Sequence, residues 1–233
     1  MQIQNIAGYK FIALDDLAQL REQLLAASVS LKGTILLSHE GININLAGTR
    51  ENVAAFTTFL QNDNRFADIR FHETYSASLP FKYLKVKLKP EIITLRQPAL
   101  NSLDARAPSI SPAEFKQWLD EKRDITVLDV RNEYEIAYGT FVSAKHLSLS
   151  DFNEFPKVAN TINKNKPIVM FCTGGIRCEK AALVMQEQGY ENVYQLDGGI
   201  LGYFAQVGGA HYDGKCFVFD ERIAVNTNLQ PDN

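Results

Sequence analysis

The sequence predicts an α/β chain of two domains: an α+β front half of βαββαβ order, then a parallel α/β half. Three observations carry this. Residues 8–75 switch repeatedly between the apolar period of a strand and that of a helix. A stretch with prolines at 90, 98, 108 and 112 follows. After it, short apolar runs alternate with helical patterns, as parallel sheets covered on both faces require. The 233 residues suffice for two ordinary domains, and 45% apolar content supports a core for each.

Residues 8–14 read as the first strand. Asp15 or Asp16 caps a helix whose Leu17, Leu20, Leu24 and Leu25 share one face. Leu31 to Leu37 is a second strand. Glu40-Gly41 turns the chain into a third, where Ile42, Ile44 and Leu46 alternate with Asn43 and Asn45. Thr49 caps the next helix, with Val53, Phe56, Phe59 and Leu60 apolar, and Ile69 to Tyr75 is the fourth strand. This is the ferredoxin-like split pattern. Phe81 to Leu88 adds a strand, with Leu84, Val86 and Leu88 on one face and Tyr83, Lys85 and Lys87 on the other. Lys89 continues the outward row. Two readings stand for that row: an edge protected by lysines, or a basic, aromatic-interleaved face for RNA.

The front domain is taken as 1–97 and the linker as 98–111. The parallel domain with its following strand segment is 112–225, and 226–233 is a polar tail. The second domain reads as helix 113–121, strand 125–130, strand 167–171, helix 177–188, strand 193–196 and helix 199–206.

Net charge is −3, which advertises no global affinity for polyanions. The distribution is uneven: residues 1–97 carry a balance of +2 and residues 98–233 one of −5. The front domain is therefore expected to hold the nucleic acid, while the acidic second domain as a whole should repel a polyanion and its cysteine loop by itself is a poor platform for a base. Three unevenly spaced cysteines and no targeting block at the N-terminus predict a cytoplasmic protein. No apolar run reaches membrane-spanning length, so no membrane partner is expected.

The chemistry-bearing segment is Cys172-Thr173-Gly174-Gly175-Ile176-Arg177-Cys178. It lies between the apolar run Pro167 to Phe171 and a helical pattern. Cys172 therefore ends a strand at the carboxyl edge of the sheet, where α/β sites usually lie. The unpaired N–H groups and positive end of the following helix push such a thiol toward thiolate. Glycine at 174 and 175 permits the loop to curl around the sulfur. Cys178 has two readings, a thiol that resolves an oxidised Cys172 or a packing residue. Cys216 reads as core. No nucleotide fingerprint and no metal site is evident, and no cofactor is assigned. His211-Tyr212-Asp213 has the start of a two-His-one-carboxylate pattern, but a polar turn is the simpler reading.

The loop resembles that of the rhodanese superfamily. So do Val127-Leu128-Asp129-Val130-Arg131 with the acidic residues after it, and Leu196-Asp197-Gly198-Gly199-Ile200. Asp129 and Arg131 are expected as an ion pair supporting the loop. The six residues from Cys172 to Arg177 match the loop length that the superfamily uses for sulfur transfer. The related phosphatases have one residue more. A closer resemblance rests on further segments: Glu40-Gly41-Ile42-Asn43, Lys85-Val86-Lys87-Leu88-Lys89, and Gly214-Lys215-Cys216-Phe217-Val218-Phe219-Asp220-Glu221-Arg222. With the cysteine loop these are similar to the bacterial tRNA uridine(34) hydroxylases. The resemblance implies oxygen-dependent 5-hydroxylation of the wobble uridine, Cys172 as the essential thiol, molecular oxygen as co-substrate, tRNA as partner and a donor of electrons or sulfur. Many members continue into a cysteine-rich tail, whereas residues 223–233 here hold no cysteine. A persulfide sulfurtransferase and a non-enzymatic rhodanese binding module are the alternatives.

Overall fold

The computed structural model describes residues 2–97, 100, 103 and 106–231, so much of the expected linker lies outside the described residues. The chain forms two compact units. One comprises residues through Ile93 with Phe219–Arg222; the other comprises Thr94–Val218 and the residues from Ile223 on.

The front unit contains β1 (Ile3–Phe11), α1 (Leu17–Ala27), β2 (Lys32–Ser38), β3 (Gly41–Gly48), α2 (Arg50–Gln61), β4 (His72–Ser76) and β5 (Leu84–Leu88). Its sheet has the order β4-β1-β3-β2-β5. The first four strands pair antiparallel, and β5 adds parallel to β2. Ile6, Ile35, Ile42, Ile44, Leu46 and Val86 meet Leu20, Leu24, Val53, Phe56 and Leu60 of the two helices in one buried cluster. Thr49 caps α2 by accepting the Asn52 N–H at 3.2 Å. Asp16 stands at the N-cap of α1, but its carboxylate takes Arg65 Nη1 at 2.6 Å instead of a backbone N–H.

The first strand begins five residues earlier than its apolar pattern suggests. Its early residues include buried amides that read as polar: Gln4 donates to Glu73 at 2.9 Å and Asn5 to Ser76 Oγ at 3.1 Å. The Glu40-Gly41-Ile42-Asn43 segment also gains a role. Glu40 accepts the Ile92 N–H at 2.7 Å and Asn43 donates to the Ile92 carbonyl at 3.1 Å, which ties the outgoing chain to the sheet. Phe219–Arg222, expected with the second domain, clusters with this unit; Arg222 Nη1 donates to Thr74 Oγ1 at 2.5 Å.

The second unit continues with β6 (Ser109–Ile110), α3 (Pro112–Asp120), β7 (Thr126–Asp129), α4 (Glu133–Ile136), β8 (Gly139–Phe141), β9 (Lys145–His146) and α5 (Phe155–Val158). There follow β10 (Ile168–Phe171), α6 (Ile176–Glu187), β11 (Val193–Leu196), α7 (Gly199–Val207), β12 (Tyr212–Gly214), β13 (Cys216–Phe217) and β14 (Ala224–Val225). The main sheet is parallel, in the order β6-β11-β10-β7-β9. Its central strands are fully buried, which explains their unbroken apolar runs. The short elements β8, β9, α4, α5 and β12–β14 are too brief to show a period in sequence. The polar tail folds back, with Val225 bridged to Pro231; Asn226 Oδ1 accepts the Gln230 N–H at 3.2 Å and the Asn226 N–H donates to the Gln230 carbonyl at 2.9 Å. Among the described residues no helix is long and apolar enough to cross a membrane.

Asp129 and Arg131 end β7 as a fully buried pair. Arg131 Nη2 lies 2.6 Å from Asp129 Oδ2 and also donates to the Gly139 carbonyl at 2.7 Å, while Thr140 Oγ1 donates to Asp129 at 2.8 Å. The pair thereby fixes the entry to β8 beside the central strands. Arg131→Met leaves the carboxylate buried without its counterion and is expected to cost about 3–5 kcal/mol. Denaturant unfolding measures this, and a loss below about 1 kcal/mol would return the pair to the class of marginal surface bridges.

Candidate active site around Cys172

β10 delivers Cys172 to the carboxyl edge of the sheet, and the loop turns at Gly175 into α6. Gly175 is the N-cap of α6 with φ 99°, a left-handed conformation natural to glycine. Its N–H donates to Cys172 Sγ at 3.2 Å. The loop is also held from behind. Ile200 and Leu201 N–H groups, in the first turn of α7, donate to the carbonyls of Cys172 and Thr173, each at 3.0 Å. That contact requires Gly199: a Cβ there would sit 2.4 Å from the Cys172 oxygen. Two helix N-termini thus converge on one loop, one serving the sulfur and the other the carbonyls.

Cys172 is 2% exposed. Burial pushes its thiol up, but a hydrogen bond from the Cys178 thiol, the Arg177 charge and the N–H groups of Arg177 and Gly175 prevail and hold its pKa at about 6. Cys178, in the first turn of α6, is fully buried. Burial and its bond to Cys172 raise its pKa well above the ordinary value, so it remains a protonated donor. Burial likewise pushes Cys216 up to about 12. Only one of the three cysteines is thus a thiolate near neutral pH.

Arg177 does not project freely from the loop. Its Nη1 lies 2.7 Å from Glu135 Oε2, which also accepts the Asn132 N–H at 3.1 Å. Thr173 and Gly174 complete the turn and Ile176 opens α6; of the two glycines only Gly175 takes a positive φ. Thr173 Oγ1 donates to the Phe217 carbonyl at 3.5 Å. Beneath α6, Glu179 accepts from Arg106 at 3.0 Å and from Gln195 at 3.3 Å.

The sequence reading missed Glu135 as the partner of Arg177, since the two lie far apart in the chain. It also missed a cluster of three rings. Tyr134 of α4 and Tyr138, in the turn that follows α4, flank Phe217 with centroid distances of 5.5 Å each. The backbone of Phe217 meets the cysteine loop through the Thr173 contact to its carbonyl. His211 offers no start to an iron site with Asp213; its Nε2 is 2.7 Å from Asp120 Oδ1. Among the described residues no three His, Cys, Asp or Glu side chains converge as metal ligands.

The expected basic row lies in the front unit. Lys85 and Lys87 are exposed on β5 opposite Thr34 and Leu36 of β2, while Val86 between them is buried opposite Ile35. Lys89 follows the strand and is exposed, and Tyr83, just before it, is 67% exposed. Lys85, Lys87 and Lys89 have no acidic partner among the described residues, whereas Lys116 and Lys166 pair with Asp120 and Asp124.

Alkylation by a small reagent should report the thiolate directly. Its rate at Cys172 is expected to rise through pH about 6 and level off near neutrality, because protonation below the folded pKa removes the nucleophile. Cys178 and Cys216 should react only on unfolding. A Cys172 rate still climbing at alkaline pH, like that of a free thiol, would contradict the geometry.

Residues 3–92 match the family described as UPF0176 acylphosphatase like domain, and residues 111–206 match the Rhodanese-like domain. Solved rhodanese-like structures resemble part of the chain. That from Staphylococcus aureus is 28% identical with a TM-score of 0.38, covering 42% of this chain and 91% of its own. Curated relatives extend over nearly the whole length. The tRNA uridine(34) hydroxylase of Cupriavidus necator is 50% identical, covering 99% of this chain and 86% of the relative. Those of Thiobacillus denitrificans and Bordetella petrii are 48% and 46% identical, with 97% and 95% of the relatives covered. The chain belongs to the tRNA uridine(34) hydroxylase family.

Proposed function

We propose that this protein hydroxylates the wobble uridine of tRNA at C5, using molecular oxygen and the Cys172 thiolate. The observation that carries the reading is the joint one: near-full-length similarity to proteins of that name, with a single activated cysteine at the matching loop. One oxygen atom enters the base and the other leaves as water. Two electrons and two protons are therefore required, and an electron donor is the second partner of the reaction. Cys172 supplies a nucleophile at neutral pH; Gly175, Cys178 and Arg177 hold its charge. The compartment expected is the cytoplasm, consistent with three free cysteines.

The unpaired lysines of β5 support a role in holding tRNA phosphates, with Tyr83 beside them. A second reading, sulfur transfer through a Cys172 persulfide, is favoured by one observation. Arg177 is engaged by Glu135, so the short loop presents backbone N–H groups around the sulfur more than a charged clamp for phosphate.

Incubating the full chain with undermodified tRNA, oxygen and a reductant, followed by mass analysis of nucleosides, separates these readings. The expected product gains one oxygen at the wobble uridine, and Cys172→Ser abolishes it without shifting the thermal midpoint. A sulfur-containing nucleoside, or full activity in Cys172→Ser, would overturn the assignment.

Replacing Lys85, Lys87 and Lys89 by Gln should weaken tRNA binding and flatten the slope of log affinity against log salt by about 2 to 3. Unaltered binding across the salt range would leave the row as edge protection.

A further inference from the structure

We infer that Tyr134, Tyr138 and Phe217 form a stacking platform for the unpaired wobble base beside the Cys172 loop. The inference rests on the tRNA reading above and adds the surface that receives the base.

The three rings are grouped by elements far apart in sequence. α4 presents Tyr134, and Tyr138 follows it one turn later. β13 inserts Phe217 between them, with interplanar angles of 83° to Tyr134 and 50° to Tyr138. The exposure of the two tyrosines, with Phe217 half-buried between them, distinguishes the group from the core aromatics of the same unit. Tyr134 is 49% and Tyr138 41% exposed, whereas Phe141 and Tyr203 are 1% or less. Rings that served only to pack β13 onto α4 would gain by being covered. These leave much of their surface to solvent, as a platform awaiting a flat ligand does.

Position then selects the ligand. The Phe217 carbonyl accepts from Thr173, the residue after the reacting cysteine, so the platform is continuous with the loop. Lys215 is exposed next to it, and its N–H donates to the Tyr138 carbonyl at 2.8 Å. An exposed aromatic surface beside the reacting loop suits a nucleotide, whose base the rings take. Bases of an anticodon loop are unpaired and can be splayed onto such rings without melting a helix. This also gives a purpose to the segment from Gly214 to Phe217.

The test uses the full chain and two fluorescent anticodon stem-loop RNAs, one with uridine at the wobble position and one abasic there. Tyr134→Ala combined with Tyr138→Ala should weaken binding of the uridine probe about tenfold. It should leave the abasic probe unchanged, and wild type should bind the abasic probe more weakly than the uridine probe. Tyr134→Phe with Tyr138→Phe should restore affinity, since the rings persist. An unchanged Cys172 alkylation rate shows that the loop remains folded in the double variant. Equal weakening of both probes, or none, overturns the platform; the latter would leave the rings to a protein partner. If wild type leaves tRNA unmodified while the base-dependent loss persists, the hydroxylase reading fails and the stacking surface stands.

Discussion

The site depends on holding one negative charge where almost no water reaches it. Cys172 is nearly inaccessible, and burial by itself favours the neutral thiol. The fold counters this with donors fixed before any substrate arrives. The Gly175 N–H meets the sulfur, the Cys178 thiol bonds to it, and the carbonyls flanking it are held by α7. Each constraint is costly elsewhere: positive φ at Gly175 and Gly199, a second buried cysteine, and a helix start given over to a loop. Such preorganisation permits electrostatic stabilisation without reorganisation during reaction.

A second layer of buried charge holds that loop in place. Asp129 with Arg131, and Glu135 with Arg177, pair beneath it. Both pairs are anchored on the segment after β7, so β7, β10 and the helix α6 are tied together around the cysteine. Isolated buried pairs are weak contributors to stability compared with apolar packing, but removing one partner is costly. Their value here lies in fixing geometry. Glu135 keeps Arg177 close to the sulfur while preventing it from swinging into solvent, so its charge bears on Cys172 in one orientation.

Much of this was legible in the chain. A cysteine between an apolar run and a helical pattern, followed by two glycines and an arginine, announces the loop through local chemistry alone. Asp129 and Arg131 could be named as support because their segment resembles the Asp-x-Arg strand of the rhodanese superfamily. Glu135 was visible only as an acidic residue near them, since its partner is set by the crossing from β7 to β10. Similarly, Asn5 and Gln4 hid the start of β1, because polar side chains satisfied within a sheet look like loop residues. Phe217 gave no signal as a site residue: its two-residue strand has no period, and its neighbours Tyr134 and Tyr138 arrive from α4 and the turn after it. The assignment of Phe219–Arg222 to the front unit likewise depends on tertiary contacts, including the Arg222 bond to Thr74.

The most direct test of the buried charge is an ultraviolet titration of thiolate absorbance in the native protein, with Cys172→Ala as the subtracted reference. The difference should show one thiolate forming with a midpoint near pH 6, and the unsubtracted wild-type curve no second thiolate from Cys178 or Cys216 before unfolding. A single transition in the range of an ordinary free thiol, or two thiolates forming together, would contradict it.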